Sequence, residues 1–276
     1  MKVAVVTGIA RTAGIGHAIC KSLLDSGLAV IGLDKIQMHA TSPLLEHPDF
    51  VSYVASVTSV KEVSDGISMG LSKLQKSHIS VVVNNAGISQ PFLQSPPCTT
   101  TTKSHDDSTK NEEMIARRIE EFDDYLAVNL KSAFLVTEVC RPYFPESGVS
   151  VIHIASTRAY QSPALSADEC PFGQEGYASA KAGMIGLMQS QGQSLAGQAR
   201  VNVILPGWID TQDPSEENYC EPTQKDHAWH SVGRVGTPKD IANIVSFLAD
   251  DEKSGFITCQ EFVIDGGVSR KMVYPE

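Results

Sequence analysis

The stretch "VAVVTGIARTAGIGHAIC", residues 3–20, decides how the chain is read. An apolar run, 3–6, has the look of a strand, and "HAICKSLLDSG" (17–27) has helical spacing. Between them stand Gly8, Gly14 and Gly16. Glycine lacks Cβ, so such a turn can bend tightly and let a ligand approach the backbone. A helix that starts there offers free N–H groups and the positive end of its dipole. The turn suits a bound phosphate, provided a strand precedes it and a helix follows.

The same rhythm continues along the chain. Apolar, β-rich runs recur at 29–34, 50–55, 79–85, 149–155, 200–205 and 261–267, separated by stretches with helical spacing such as Val60, Val63, Ile67, Leu71 and Leu74. Several runs are apolar almost throughout, as strands covered on both faces must be. Alternation of this kind predicts an α/β fold, a single doubly wound parallel sheet of about seven strands with helices on both faces. It spans 1–276 as one nucleotide-binding domain of the Rossmann type. The segments 89–113 and 157–176 break the rhythm and read as surface insertions, the first being rich in Pro, Thr, Ser and charge.

Asp34 ends the second run, 18 residues beyond Gly16. A carboxylate there accepts hydrogen bonds from ribose hydroxyls and repels a 2′-phosphate, which favours NAD over NADP. Arg11 and Lys35 lie close by and keep NADP open. Further on, "YASAK" places Tyr177 and Lys181 four apart, on one face of a helix. A phenol titrates near 10. An ammonium group one turn away favours the phenolate and makes the tyrosine a better proton shuttle at neutral pH.

The net charge of −10 over 276 residues argues against partners such as nucleic acid or an anionic membrane. No run approaches the roughly 18 apolar residues that cross a bilayer, and the N-terminus enters a strand directly, so a cytoplasmic location is expected. The cysteines, Cys20, Cys98, Cys140, Cys170, Cys220 and Cys259, are scattered and read as reduced thiols. His153 reads as a core histidine. His227 and His230 lack a third ligand with suitable spacing, so no metal is expected.

Taken together, these residues resemble the short-chain dehydrogenase/reductase family. The matching pieces are "TG…GIG" (7–16), Asp34, "NNAG" (84–87), "VNL" with Asn129, "IASTRA" with Ser156, "YASAK" (177–181), "PGWIDT" (206–211) and "VIDGG" (263–267), in the family's order over nearly the whole chain. The resemblance implies an NAD(H)-dependent oxidoreductase interconverting an alcohol and a ketone or aldehyde. Tyr177 would be the acid/base and Ser156 would hold the substrate oxygen. Lys181 would bind the nicotinamide ribose and lower the Tyr177 pKa. Asn129, by its side chain or a local kink, would hold a water linking Lys181 to solvent. The cofactor would lie along Gly8, Arg11, Gly14, Ile15, Gly16, Asp34, Ser56, Val57, Asn84, Ala86 and Gly87. It would end at Tyr177, Lys181, Pro206, Gly207, Ile209 and Thr211.

Three departures stand out. Five residues, "IARTA", separate the first two glycines, more than the family's usual spacing. Ser56 stands where the family commonly has an acid against the adenine amine. Twenty residues separate Ser156 from Tyr177, which makes Ser162 and Ser166 rivals by spacing. Ser156 is favoured because it ends a strand in "HIAS" and because "STRA" matches a subgroup of these oxidoreductases. The segment 207–235 reads as a mobile lid over the substrate. Its carboxylates disfavour an anionic substrate. Phe92, Phe172 and Trp208 would add apolar wall for a cyclic or aromatic carbonyl compound. A homodimer or homotetramer is expected, paired through long helices around 112–144 and 176–198 with apolar positions such as Phe134, Leu135 and Val139. The competing readings are an NADPH-dependent biosynthetic carbonyl reductase and a non-catalytic nucleotide-binding regulator.

Overall fold

The computed structural model describes residues 1–89, 108–162 and 174–272. Most of both insertions, with Cys98, Phe92, Ser166, Cys170 and Phe172, lies outside the described residues. Among those residues, β1 (Val3–Thr7), β2 (Ala29–Asp34), β3 (Phe50–Val54), β4 (Val81–Asn84), β5 (Val149–Ile154), β6 (Ala199–Pro206) and β7 (Glu261–Ile264) form one sheet, ordered β3-β2-β1-β4-β5-β6-β7. Every neighbouring pair is parallel. The seven-stranded parallel sheet expected from the apolar runs is therefore present.

The continuous apolarity of the strands has a direct cause. Along β1, Val3 and Val5 enter the core on one face, while Ala4 and Val6 enter the core on the other. The first face is covered by α2 (Val60–Leu74), α4 (Ser132–Cys140) and α5 (Gln174–Ser194), through Val63, Ile67, Val136, Met184 and Met188. The second is covered by α1 (Ile15–Asp25) and α7 (Pro238–Ala249), through Ile19, Leu23, Ile241 and Val245. Helix α3 (Ser108–Leu126) runs into α4 through a π turn at Ala127–Lys131 and packs against α5. A wider turn of this kind re-aims the side chains that follow it.

Strand order reverses at β1, whose neighbours are β2 and β4. Chain connections leave on opposite faces there, and a crevice opens at the carboxyl ends of the strands. The glycine stretch sits on this crevice. It is anchored from below by Ile9, which is 1% exposed and fills a notch left by Gly32 on β2. A Cβ on Gly32 would stand 3.0 Å from Ile9 Cδ1, so the bare backbone of one strand receives the side chain of the turn. No helix among the described residues is long and apolar enough to cross a membrane.

Because Ile9 seats the turn in the core, Ile9→Ala is expected to lower unfolding free energy by about 2–4 kcal/mol, read by urea denaturation. A loss below about 1 kcal/mol would mean that the turn holds its place without that anchor.

Candidate active site

The glycine turn is bound tightly to the end of β4. Gly8 has φ +75° and its N–H donates to the Leu33 carbonyl at 2.8 Å. A methyl on Gly8 would lie 2.8 Å from Ala86 Cα, and one on Gly16 would overlap the Gly8 carbonyl oxygen. Asn85 Nδ2 donates to the carbonyls of Thr7 (2.9 Å) and Gly8 (3.0 Å). In return the Thr7 hydroxyl oxygen accepts from the backbone N–H of Asn85 (3.1 Å) and Ala86 (3.0 Å). Sequence reasoning singled out Asn84 and passed over Asn85. The signal was present in "NNAG", but which asparagine faces the turn is set by strand alternation. Asn84 faces the core, where its Nδ2 donates to Thr137 Oγ1 (3.0 Å) and bonds His153 Nδ1 (3.1 Å).

The extra residues between the glycines form a turn, closed by Gly14 N–H to the Arg11 carbonyl at 2.9 Å. Arg11 is exposed at its tip, and Thr12 donates to Asp213 of the 207–235 segment at 3.1 Å. Asp34 at the end of β2 accepts from Ala10 N–H (2.8 Å) and Ile36 N–H (3.2 Å), which fixes its carboxylate beside the turn. Helix α1 starts at Ile15 with no side-chain cap and no acid in its first turn. Its leading N–H groups are left for an anion from outside the helix. At the end of β3, Val57 is buried, while the Ser56 hydroxyl bonds Thr58 Oγ1 at 2.9 Å. The Ser56 N–H donates to Glu62 at 2.8 Å, so α2 brings a carboxylate to the place where the strand end lacks one.

Across the sheet, Ser156, Tyr177, Lys181 and Asn129 gather beyond β4 and β5. Ser156 is the N-cap of a short turn, Thr157–Ala159, and its hydroxyl acts on the Tyr177 phenol to draw its pKa down. Ser162, by contrast, lies at the surface. Tyr125 of α3 meets the Tyr177 ring edge-on, centroids 6.0 Å apart. Lys181, 4% exposed, stands one turn along α5, with Nζ 5.8 Å from the phenol ring centre. Nζ donates to the Ile154 carbonyl at 2.8 Å. Asn129 sits in the π turn and clamps Ile88 by both main-chain groups. It accepts from Ile88 N–H at 2.7 Å and donates to the Ile88 carbonyl at 2.9 Å. Of the two ways Asn129 was expected to act, the kink is in place, and the side chain is committed to Ile88.

The electrostatics differ from the sequence expectation. Burial pushes the Tyr177 phenol up; the Ser156 bond and the Arg158 charge pull it down without cancelling that shift. Burial also brings Lys181 down to about 8. Each group favours its neutral form because water is excluded from both. Burial brings His153 down to about 4, and its Nε2 bonds Gln191 Oε1 at 2.9 Å, so this imidazole is a neutral core group.

The ends of β6 and β7 complete the edge. Gly207 N–H donates to the Ile264 carbonyl (2.9 Å), and Ile209 pairs with Gly236 as an isolated bridge. Thr211 follows, and the 207–235 segment then carries α6 (Gln224–Trp229), opened by a Thr223–Asp226 capping box. Trp208 and Trp229 are about half exposed, while His230 is buried with its ring 6.1 Å from Trp208. His227 Nδ1 accepts from Val235 N–H at 3.1 Å, and His230 Nδ1 bonds the Asp226 carbonyl at 2.9 Å. The arrangement is chemically specific. A phenol, a hydroxyl and an amine converge beyond β4 and β5, where a proton can pass to or from a bound oxygen.

Known proteins resemble this chain along its length. A family model described as enoyl-(acyl carrier protein) reductase matches residues 8–269. An uncharacterized oxidoreductase of Thermotoga maritima is 32% identical, with 100% of this chain and 98% of that protein covered. A 3-oxoacyl-[acyl-carrier-protein] reductase FabG of the same organism is 31% identical over 97% of both. A rat (3R)-3-hydroxyacyl-CoA dehydrogenase is 32% identical over 96% of this chain and 95% of that one. Among solved structures, an apo SCOR enzyme from Clostridium thermocellum superposes with a TM-score of 0.73 at 32% identity, covering 99% of this chain and 94% of that one.

Lys181 is held below its ordinary 10.5, so the folded chain binds its proton less well than the unfolded chain does. Between about pH 8 and 10.5 the unfolded state carries more protons, and stability from this group rises with pH. Lys181→Met should therefore be more stable than the parent at pH 7, by on the order of 2 kcal/mol after loss of the Ile154 bond. That advantage should fade towards pH 10.5. Thermal melts across that range check it, and a variant that melts lower than the parent at pH 7 would show that burial does not penalise the ammonium.

Proposed function

The chain belongs to the short-chain dehydrogenase/reductase family, and within it we propose an NAD(H)-dependent oxidoreductase that interconverts an alcohol and a ketone or aldehyde. The family assignment makes it an enzyme acting on CH–OH groups with NAD or NADP. The finer reading rests above all on the convergence of Tyr177, Ser156 and Lys181 beside the glycine turn.

A dinucleotide fits the residues present. Gly8 and Gly16 pack backbone to backbone, so no side chain of theirs stands over the turn, and the α1 N-terminus is uncapped. Gly8, Gly14, Ile15 and Gly16 would receive the pyrophosphate, with Arg11 above it. Asp34 would accept from the adenosine ribose. Ser56, Val57, Ala86 and Gly87 would line the adenine end, with Asn84 contributing through its backbone only. Pro206, Gly207, Ile209 and Thr211 would meet the carboxamide end. When bound, the nicotinamide supplies the hydride chemistry. The chain's own part is proton handling. Ser156 donates to the reacting oxygen, Tyr177 takes the proton from the alcohol or returns it to the alkoxide, and Lys181 holds the ribose. Donors aimed at an oxygen that gains charge stabilise the transition state.

Asp34 supports NAD, since its carboxylate would repel a 2′-phosphate. NADPH is the second reading, favoured by the exposure of Arg11 and Lys35 on either side of Asp34. Initial rates with both coenzymes should be measured over a panel of alcohols and ketones. The panel should include β-oxoacyl thioesters, which two relatives' names suggest. NADH should win by tenfold or more, and Asp34→Asn should erase that preference. Tyr177→Phe should lower kcat by about 10²–10⁴ with coenzyme binding intact. Turnover retained in that variant would remove the phenol from the reaction.

We also propose that two copies pair through α3 and α5. The stripe around 112–144 divides on inspection, for Leu135 belongs to the core while Phe134 remains half exposed. On α3, Ile115, Ile119 and Phe122 are exposed together, beside the Arg118–Glu175 pair to α5. Light scattering at micromolar concentration should report a dimer or tetramer. A monomer would refute the pairing.

A further inference from the structure

The elongated glycine turn touches a part of the chain to which the reading above gives no role. Gly14 N–H closes the turn on the Arg11 carbonyl at 2.9 Å, and Ala10 N–H is held by Asp34 at 2.8 Å, so Thr12 stands out at the apex. Its hydroxyl donates to Asp213 Oδ2 at 3.1 Å. Asp213 is itself fixed. Its Oδ1 accepts from the Ser215 N–H at 2.9 Å and from the Ser215 hydroxyl at 2.7 Å, and its carbonyl accepts from Glu216 N–H at 2.9 Å. On either side, Asp210 N–H donates to the Gly236 carbonyl at 2.9 Å, and Cys220 N–H donates to Gln212 Oε1 at 3.1 Å. The segment that leaves β6 is thus tied to itself and presents Oδ2 to the turn.

Sheet topology gives this contact its meaning. Thr12 follows β1 and Asp213 follows β6, and β4 and β5 stand between those two strands. At the usual strand spacing, β1 and β6 lie about 14 Å apart. Two loops that meet across that gap form a strap beyond the carboxyl ends of β4 and β5. The five residues between Gly8 and Gly14 supply the reach on one side. The dinucleotide of the reading above runs between the same two loops, from the glycine turn to Thr211, two residues before Asp213.

We propose that Thr12 and Asp213 are positioning residues for the coenzyme, whose hydrogen bond joins the glycine turn and the 207–235 segment into a strap that must open for the dinucleotide to enter or leave. The proposal rests on the oxidoreductase reading. The bond suits a gate. Both partners can turn to water when it opens, so an exposed hydrogen bond of this kind favours the closed form only modestly and breaks readily. A strap hinders entry as much as exit, whereas a group that merely touches bound coenzyme slows its release alone.

Stopped-flow fluorescence of NADH, or of NADPH if that coenzyme binds more tightly, tests this on the full chain. Thr12→Val keeps the side-chain shape and removes the hydroxyl, and coenzyme release should quicken about three- to tenfold. Association should quicken as well, so that Kd moves less than either rate. Thr12→Ser should restore the parent rates. Asp213→Ala should match Thr12→Val, and the double variant should be no faster than either single one. Neither side chain belongs to the core, so these variants should melt with the parent. Rates unmoved by Thr12→Val, release quickened with association unchanged, or single effects that multiply in the double variant would each overturn the strap. The two readings fail separately. Coenzyme that binds and leaves Thr12→Val at the parent rate sinks the strap alone, whereas a chain that takes up neither coenzyme sinks the oxidoreductase reading and the strap with it.

Discussion

At the carboxyl end of β1 two backbones come into contact that side chains would hold apart. Gly8 and Gly16 press together, and Asn85 reaches over from β4 to take the carbonyls of Thr7 and Gly8. The rest of the site depends on this contact. It draws the turn against the sheet at the point where strand order reverses, and it aims the first N–H groups of α1 into the crevice. Ile9 holds the turn from beneath and Asp34 from the side, so the longer loop adds a wall without loosening the floor. A flexible glycine loop would lose entropy on meeting a ligand; one pinned at three points has already given up most of that freedom.

What the sequence made legible follows from how much each feature averages over. The strands were readable because both faces of the sheet are covered, so apolar residues fill whole runs rather than alternate positions. Tyr177 and Lys181 were readable because helical spacing alone puts them on one face. Ser156 caps the turn that directly follows β5 and Tyr177 stands on α5, so each is placed by its own element whatever the interval between them in sequence. The missed contributors, Asn85 and Glu62, act through direction rather than composition. Adjacent asparagines differ only in which way a strand end turns. Glu62 reaches Ser56 across a helix cap.

The electrostatic error has the same origin. Spacing of four residues implies proximity, and proximity implied that the lysine would lower the tyrosine. Spacing says nothing of burial. Both groups are desolvated, and in a water-poor site that cost outweighs the help of a cation one turn away. A buried lysine is a standing penalty on the fold, and a site that keeps one does so at the expense of stability.

The direction of Asn85 is itself prepared in the core. Gln191, His153, Asn84 and Thr137 form a directional chain: Nε2–H of His153 donates to Gln191, Asn84 Nδ2 donates to Nδ1 of the imidazole and to Thr137, and Thr137 donates to the Ala133 carbonyl. The low pKa of His153 keeps the imidazole neutral, which fixes the one tautomer compatible with these partners. With Asn84 locked inwards by this chain, strand alternation leaves Asn85 facing the glycine turn. A slip of one residue at the end of β4 would either bring Ala86 to the turn, removing the clasp on Thr7 and Gly8, or bring Val83 into the core, taking the amide donor away from His153 Nδ1. The polar interior of the sheet thus specifies the geometry of the crevice at its rim.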